Sequence, residues 1–153
     1  MGVGDKRRGV SDRWPESWRL VELPKISDVR GNMTAVEGDI TLPFAIRRVY
    51  YIYDVPSGAT RAAHAHKSLH QCFVAAAGSF NIHAENRTQT ANIVLNRPNI
   101  GLYVRPGVWR LIDNFSGGAV CLVFASAHYE ESDYIRSYDD FLEYVKRPSH
   151  EEQ

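Results

Sequence analysis

Two histidines, His64 and His66, are the residues of this sequence whose type and spacing most clearly suggest chemistry. Side chains two positions apart on a β-strand point to the same face, so this pair predicts two neighbouring imidazoles. A neutral imidazole with a pKa near ~6.5 can accept or donate a proton at physiological pH. Arg61 and Lys67 flank the pair and add positive charge, which suits a phosphate or a developing oxyanion.

The surrounding residues fall on the spacing of the first motif of cupin barrels. The residues on that spacing are Gly58, His64, His66 and Gly78. Metal-binding cupins carry Glu within this motif, and here Gln71 stands in its place. The stretch 101–114 resembles the second cupin motif.

In that second motif, Pro106 and Gly107 form the turn, Arg110 replaces the usual His one residue early, and Asn114 follows. A divalent metal requires three or four His or carboxylate ligands, and a guanidinium repels a cation. His70 is a possible third ligand, but on a straight strand it lies over ~13 Å along the chain from His66. The sequence therefore predicts no metal and no other cofactor.

Short apolar or alternating segments separated by turn residues recur along the chain and must position these side chains. Turn signals every 8–12 residues are typical of a sandwich or barrel. We therefore predict an all-β protein, a double-stranded β-helix (cupin or jelly-roll barrel), with a short C-terminal helix between Ser137 and Pro148. The predicted strands are 18–23, 32–37, 46–55, 69–77, 79–85, 91–95, 101–105, 109–114 and 119–125.

The 153 residues suit one domain, which we place at residues 18–147, with a flexible arm at 1–17 and a polar tail at 148–153. Lys and Arg together number 18, as do Asp and Glu, and this balance argues against a nucleic-acid or membrane partner. No apolar stretch follows the basic residues 6–8, as a signal peptide would require. Cys72 and Cys121 lie in apolar runs and are expected to be buried thiols, so we predict a cytoplasmic location.

Several longer segments of the sequence together resemble one protein family. They are RRVYYIYDVPSG, HAHK, GSF, LNRPNIGLYV, PGVWR, NFSGGAVCLVFAS and DYIRSYDDF, together with the turn Asp28-Val29-Arg30-Gly31. In this order they resemble the dTDP-4-keto-6-deoxyglucose 3,4-ketoisomerases, also called WxcM-like sugar isomerases. The resemblance extends over residues 20–144, which is most of the chain.

The resemblance implies a metal-free isomerase that converts dTDP-4-keto-6-deoxyglucose to a dTDP-3-keto-6-deoxyhexose through an enediol or enediolate. It implies a homodimer, built in this family with exchanged strands, and a dTDP-sugar substrate. It also implies that His64 is the catalytic base, that His66 assists proton transfer, and that Arg61 lies in the active-site cleft. Arg61 or Lys67 could stabilise the oxyanion.

The chain departs from the family at two places. The family commonly has Gly after the Arg that precedes the motif, whereas this chain reads Arg61-Ala62-Ala63. A turn that usually carries an acidic residue and Gly reads Glu85-Asn86-Arg87-Thr88. Neither departure removes a polar group of the predicted site.

Aromatic rings stack on a base and arginines pair with phosphates, so several further residues are candidates for substrate binding. They are Arg48, Tyr50, Gln71, Tyr103, Arg105, Trp109 and Arg110, although core packing is an equally good explanation for the aromatic ones. Asp133, Tyr134 and Arg136 precede the predicted helix and are interpreted as structural or interface residues. Three other functions stay open: a sugar 3,5-epimerase, a non-catalytic sugar-binding cupin and a metal dioxygenase.

Overall fold

Residues 14–147 of the computed structural model are described here, and they form a β-barrel of two facing sheets. One five-stranded sheet has the order β1-β9-β6-β11-β4, and the other has the order β12-β5-β10-β7-β8. The strands are β1 Trp18–Glu22, β2 Ile26–Asp28, β3 Gly31–Met33, β4 Arg48–Ile52, β5 Arg61–His66, β6 Gln71–Ala77, β7 Phe80–Glu85, β8 Thr90–Leu95, β9 Ile100–Val104, β10 Trp109–Asp113, β11 Val120–Ala125 and β12 Tyr134–Ile135.

The main core lies between the two sheets. Strands β7 and β10 alternate between buried and half-buried residues, as strands with one inward face should. Phe80 and Ile82 of β7 meet Phe73 of β6 and Leu102 of β9 in this core. This apolar interior holds the two sheets together and leaves one end of the barrel to polar residues.

The outer faces of the sheets are covered differently. A second apolar cluster covers the β9–β6 region of the first sheet, where Leu42 and Phe44 pack over Cys72 and Tyr103. The second sheet is covered by helix α1, Tyr138–Lys146, whose Phe141 is buried. The Ser137 side chain caps this helix by accepting a hydrogen bond from the Asp140 N–H at 3.3 Å.

The predicted all-β class with one short C-terminal helix is confirmed. Both cysteines are buried free thiols, also as predicted. Within residues 14–147 no helix is long and apolar enough to span a membrane. The predicted tail at 148–153 and residues 1–13 of the predicted arm lie outside the described residues.

The last residues of the predicted arm are held against the barrel. The Trp14 ring meets Tyr103 edge-on, with ring centroids 5.0 Å apart. The Ser17 carbonyl accepts a hydrogen bond from the Arg105 N–H at 2.9 Å. The first residues described are therefore part of the packed structure.

Strands β2 and β3 form a separate two-stranded hairpin. They pair with each other and with no other strand of the described region. All six of their residues are exposed, and Val29 in the turn is also fully exposed. Two strands without a packed face are marginally stable in water, so this hairpin would gain stability from contact with another surface.

Candidate functional site

Strand β5 carries the histidine pair between two neighbouring strands. His64 is paired in register with Arg110 of β10, and His66 is paired with Tyr134 of β12. The two imidazole rings lie edge to face with centroids 4.9 Å apart, as the two-residue spacing predicts. The intervening Ala65 points the other way and packs against Ile135 in the cluster beneath the helix.

A buried guanidinium lies behind His64. Arg110 is only 1% exposed, and its Nη2 lies 3.2 Å from Nε2 of His64. The same Nη2 donates to the Gln71 side-chain carbonyl, and the Gln71 amide donates to the Tyr50 hydroxyl at 2.8 Å. The residues that replace two cupin metal ligands, Gln71 and Arg110, are therefore hydrogen-bonded to each other.

His66 is hydrogen-bonded to a carboxylate from a distant part of the chain. Nδ1 of His66 lies 3.0 Å from Oδ2 of Asp133, which ends a single turn of 3-10 helix, Glu131–Asp133. The other oxygen of Asp133 accepts hydrogen bonds from the Ser68 backbone N–H at 2.8 Å and from the Ser68 hydroxyl at 2.6 Å. Asp133 thus connects the loop before β12 to the end of β5.

Tyr134 packs over both imidazoles. Its ring centroid lies 4.8 Å from that of His64 and 4.3 Å from that of His66. The Arg136 guanidinium also lies over this ring, 4.2 Å from its centroid, and Arg136 Nε donates to a Glu131 carboxylate oxygen at 2.7 Å. Tyr134 therefore fixes the orientation of the histidine rings, and Arg136 fixes Tyr134.

Burial keeps both imidazoles neutral. Loss of solvent, followed by the positive charge of Arg110, lowers the pKa of each of His64 and His66 to about 2. Arg110 itself has its pKa lowered to about 10 by burial, so it stays positively charged near neutral pH. The site therefore combines two neutral proton acceptors with a fixed cation.

Two cavities meet at this pair. One, of about 390 Å³, is bordered by His66, Asp133, His128 and Glu130. The other, of about 400 Å³, is bordered by residues that include Tyr50, Arg61, His64 and Arg136. Arg48 and Tyr134 border both cavities. One cavity is thus rich in arginine and the other contains two carboxylates.

The structure brings together most of the residues predicted for the site. Three buried nitrogens there have no hydrogen-bond partner among residues 14–147: Nε of Arg48, Nε2 of His66 and Nε of Arg110. Buried polar atoms usually have partners, so these three nitrogens are the unsatisfied polar atoms of the site. The predicted residues that gather here are His64, His66, Arg48, Tyr50, Arg61, Gln71 and Arg110.

Besides Gln71 and Arg110, which contact each other behind His64, four predicted substrate-binding residues border neither cavity. Tyr103 is buried on the outer side of β9, where its hydroxyl contacts Nδ1 of His70 at 2.8 Å. Arg105 follows on the same side and donates to the Pro15 carbonyl at 2.9 Å. Trp109 packs against Phe141 of α1, with ring centroids 5.8 Å apart. Lys67 is exposed just beyond His66.

Asp133, Tyr134 and Arg136, which the sequence led us to interpret as structural or interface residues, lie at the site. All three border the cavities, and Asp133 and Tyr134 contact the histidines directly. His128 also borders a cavity and was placed by no motif. The only sequence signal for these residues was a cluster of ionisable and aromatic side chains in a segment without apolar periodicity.

These features define a class of protein. Paired neutral imidazoles, a buried cation and two polar cavities at one end of a cupin-type barrel suit proton transfer on a polar small molecule. Within residues 14–147 no group of three or more His, Cys, Asp or Glu side chains is arranged to hold a metal ion. The residues present therefore suit acid–base chemistry better than metal binding.

Comparison with known proteins identifies the family. The family model described as "FdtA: WxcM-like, C-terminal" matches residues 16–146, so the chain belongs to this family. The TDP-4-oxo-6-deoxy-alpha-D-glucose-3,4-oxoisomerase of Aneurinibacillus thermoaerophilus is 40% identical over 129 residues, which cover 84% of this chain and 93% of that protein.

Two solved structures are similarly close. The sugar 3,4-ketoisomerase QdtA from Thermoanaerobacterium thermosaccharolyticum, in complex with TDP, has a TM-score of 0.83 and 42% identity. That match covers 85% of this chain and 95% of QdtA. The TDP-quinovose 3,4-ketoisomerase WlaRB from Campylobacter jejuni has a TM-score of 0.80 and 43% identity, covering 84% of this chain and 98% of WlaRB.

Proposed function

We propose that this protein is a sugar 3,4-ketoisomerase that converts dTDP-4-keto-6-deoxyglucose to a dTDP-3-keto-6-deoxyhexose. The observation that carries the proposal is the pair of neutral imidazoles, His64 and His66, at the junction of two cavities. Family membership and the 40% identity to a 3,4-oxoisomerase support the same reaction. We also propose a cytoplasmic location, which agrees with two buried free thiols.

The reaction moves one proton from C3 to C4 and one proton from the C3 oxygen to the C4 oxygen. The C4 carbonyl acidifies the C3–H bond, and His64 removes this proton while the electron pair forms a C3–C4 double bond. The O3 proton is transferred to O4, and His64 gives a proton to C4 as the C3 carbonyl forms. In D2O the protonated imidazole exchanges with solvent, so C4 receives deuterium. The atoms balance without an oxidant or a reductant.

Electrostatics favour this chemistry in the described site. A negative charge develops on the sugar oxygen in the enediolate, and Arg110 and Arg48 are fixed cations beside the imidazoles. Cations aimed at a developing oxyanion stabilise the transition state more than the ground state. Lys67 is less suited to this role because its side chain is exposed to solvent.

The diphosphate suits the cavity that contains Arg48, Arg61 and Arg136. Guanidinium groups pair with phosphate oxygens in a bidentate manner. Tyr50 borders the same cavity and offers an aromatic surface to the nucleoside. The sugar then extends towards the histidines, where the second cavity presents Glu130 to its hydroxyl groups.

Proton NMR tests the proposed function. Chelator-treated protein is incubated in D2O with dTDP-4-keto-6-deoxyglucose, and we expect a 3-keto product with deuterium at C4. His64→Asn should reduce turnover by ~100-fold or more if His64 is the base. Full activity of that variant would exclude His64 as the base.

The same spectra distinguish the competing functions. A 3,5-epimerase would leave the carbonyl at C4 and introduce deuterium at C3 and C5. A sugar-binding protein would shift the substrate resonances without forming a product. A 3,5-epimerase typically pairs one His with an Asp and a Tyr, and Asp133 and Tyr134 contact His66 here. The position of the product carbonyl is therefore the decisive observation.

We further propose a homodimer in which the β2–β3 hairpin of one copy packs on the other. Ile26 and Met33 of the hairpin are each 57% exposed. Strand β4 is an edge strand, paired only with β11 in the described region, and its Tyr51 is 61% exposed beside the exposed Tyr53. An open edge with an apolar surface favours pairing with another chain.

Sedimentation velocity tests the dimer. We expect a dimer for the wild-type protein at micromolar concentration and a shift towards monomer for Tyr51→Glu, because a charge would be buried in the interface. Val94→Glu is the matched control, since Val94 is 59% exposed but lies on β8 of the other sheet. A monomeric wild-type protein would refute the proposed assembly.

A further inference from the structure

Asp133 is the one carboxylate in hydrogen-bond contact with the histidine pair in the described region. Its side chain is 13% exposed and makes two separate sets of contacts. Oδ2 meets Nδ1 of His66, whereas Oδ1 accepts the hydroxyl and the backbone N–H of Ser68. The Asp133 carbonyl also accepts a hydrogen bond from the Lys67 N–H at 2.9 Å. The carboxylate is therefore held in place from both sides.

This geometry selects one tautomer of His66. An ionised carboxylate only accepts hydrogen bonds, so Nδ1 of His66 must carry the proton. In a neutral imidazole the other nitrogen then carries a lone pair. That nitrogen, Nε2, is buried and has no hydrogen-bond partner among residues 14–147. His66 is thus presented as a proton acceptor at Nε2.

His64 has a different arrangement. No carboxylate contacts His64 in the described region; instead, Arg110 Nη2 lies 3.2 Å from its Nε2. His64 therefore has a cation as its neighbour, whereas His66 has an anion at Nδ1 and a buried Nε2 without a partner in the described region. The two histidines are therefore chemically distinct despite their equivalent positions on β5.

We propose that Asp133 is a positioning residue of the ketoisomerase: it fixes the Nδ1–H tautomer of His66, so that Nε2 carries the hydroxyl proton from O3 to O4 of the sugar. This inference rests on the proposed function. Nε2 takes the O3 proton and His66 becomes an imidazolium, whose positive charge Asp133 stabilises through the Nδ1–H. Nε2 then gives the proton to O4, and His66 returns to its neutral tautomer as the C3 carbonyl forms.

Asp133→Asn is the variant that tests this role. It keeps the shape of the side chain but removes the negative charge, and its amide can donate to Nδ1 and so favour the other tautomer. We expect kcat to fall by ~100-fold, as for loss of a proton-transfer group, with a much smaller change in KM. Circular dichroism and thermal unfolding establish that the variant is folded.

Two further measurements separate positioning from a general structural role. Nitrogen-15 NMR of the imidazoles should show the proton of His66 on Nδ1 in the wild-type protein and a shift towards Nε2 in Asp133→Asn. In D2O, the variant should introduce more deuterium at C3 of recovered substrate per product formed. This follows because His64 still ionises the C3–H bond while transfer between the oxygens is slow.

Ser68→Ala is the matched control. It removes a hydroxyl that holds Oδ1 of Asp133 and leaves the contact from Oδ2 to His66 in place. We expect it to keep the Nδ1–H tautomer and to lose much less activity than Asp133→Asn. Equal losses in the two variants would show that Asp133 only anchors the loop, and this would overturn the proposal.

The wild-type protein alone can also refute the inference. A proton on Nε2 of His66 in its NMR spectrum would overturn the proposal even if Asp133→Asn failed to fold. Wild-type protein that binds the substrate without converting it would instead refute the proposed function. Active wild-type protein with an unaffected Asp133→Asn variant would refute only the role of Asp133.

Discussion

Arg110 and His64 face each other across β10 and β5, with Arg110 Nη2 at 3.2 Å from Nε2 of His64. In metal-binding cupins the corresponding positions carry two metal ligands, whereas here one of them is itself a cation. A guanidinium cannot dissociate as a metal ion can, and it stays charged at every pH of interest. The chemistry of this barrel is thus built around a fixed positive charge.

The first prediction concerns that charge. We expect Arg110→Met to raise the pKa of His64 and His66, because a nearby positive charge disfavours protonation of an imidazole. Proton NMR titration of the imidazole C2–H resonances measures this change. The loss of a partner for Gln71 should cost about 1–3 kcal/mol of stability, which a typical domain can tolerate.

Arg61→Met is the control for that titration. Arg61 borders the same cavity as His64 but is exposed, and it is not among the causes of the lowered pKa of His64. Its replacement should leave both imidazole pKa values in place. Similar pKa shifts in the two variants would mean that any nearby positive charge, and not specifically the buried guanidinium, lowers the pKa of the histidines.

The second prediction is acid sensitivity of the fold. The folded-state pKa of His64 and His66 is lowered to about 2, whereas an unfolded chain has a histidine pKa near ~6.5. The unfolded state therefore binds protons that the folded state does not. The contribution of the pair to stability is present above pH ~6.5 and is lost as the pH falls towards the folded-state pKa.

Thermal unfolding at several pH values tests this linkage. We expect the Tm of the wild-type protein to fall between about pH 7 and pH 5, and the His64→Asn/His66→Asn double variant to lose less over that range. His70, whose pKa is lowered to about 4, is present in both proteins, so it contributes equally to the pH dependence of both Tm values. Parallel pH curves would contradict the prediction.

The third prediction concerns Ala62, which has a positive φ of 60°. It occupies the position after Arg61 where the family commonly has Gly, next to a register shift between β5 and β10. An L-residue in the left-handed region costs about 1–2 kcal/mol, and part of this is offset by the greater entropy of unfolded Gly. We expect Ala62→Gly to stabilise the protein by about 1 kcal/mol and to raise its Tm by about 2–4 °C.

Ala63→Gly is the matched control for Ala62→Gly. Ala63 is the exposed neighbour on the same strand and does not have a positive φ. Its replacement should lower the Tm, because Gly in a strand weakens it and brings no relief of strain. Equal effects of the two substitutions in calorimetry would refute the argument from φ.

The fourth prediction is insensitivity to chelators. Gln71 and Arg110 occupy two of the cupin ligand positions and hydrogen-bond to each other, which leaves too few ligands for a divalent metal. We expect dialysis against EDTA to leave turnover unchanged, with metal content followed by elemental analysis. Loss of activity that zinc, iron or manganese restores would contradict this expectation.

Much of the barrel could be predicted from the sequence, because most of its strands are marked by alternating residues and by turn residues at their ends. Alternation and turn residues predicted the strands from β6 to β11 to within about two residues, as well as the helix that Ser137 caps. The spacing of His64 and His66 predicted that they share a face, because the period of a strand is two. The motif around them also predicted Gln71 and Arg110 as partners of one site.

Alternation does not say which face of a strand is the interior. In β9 the residues Leu102, Tyr103 and Val104 are all buried, because the outer face of this sheet is also covered. Periodicity therefore carried no signal there, and Tyr103 and Arg105 were placed at the site although they lie on the other side. Trp109 was misplaced for the same reason, since α1 covers the outside of β10.

Only the tertiary structure could bring Asp133 to His66, across 67 residues of sequence. A single turn of 3-10 helix and a two-residue strand have no periodicity that a pattern can detect. The sequence by itself determined the barrel, the pair of imidazoles and the replacement of metal ligands. The tertiary structure decided the tautomer of His66, because that depends on which distant side chain lies within hydrogen-bond distance of Nδ1.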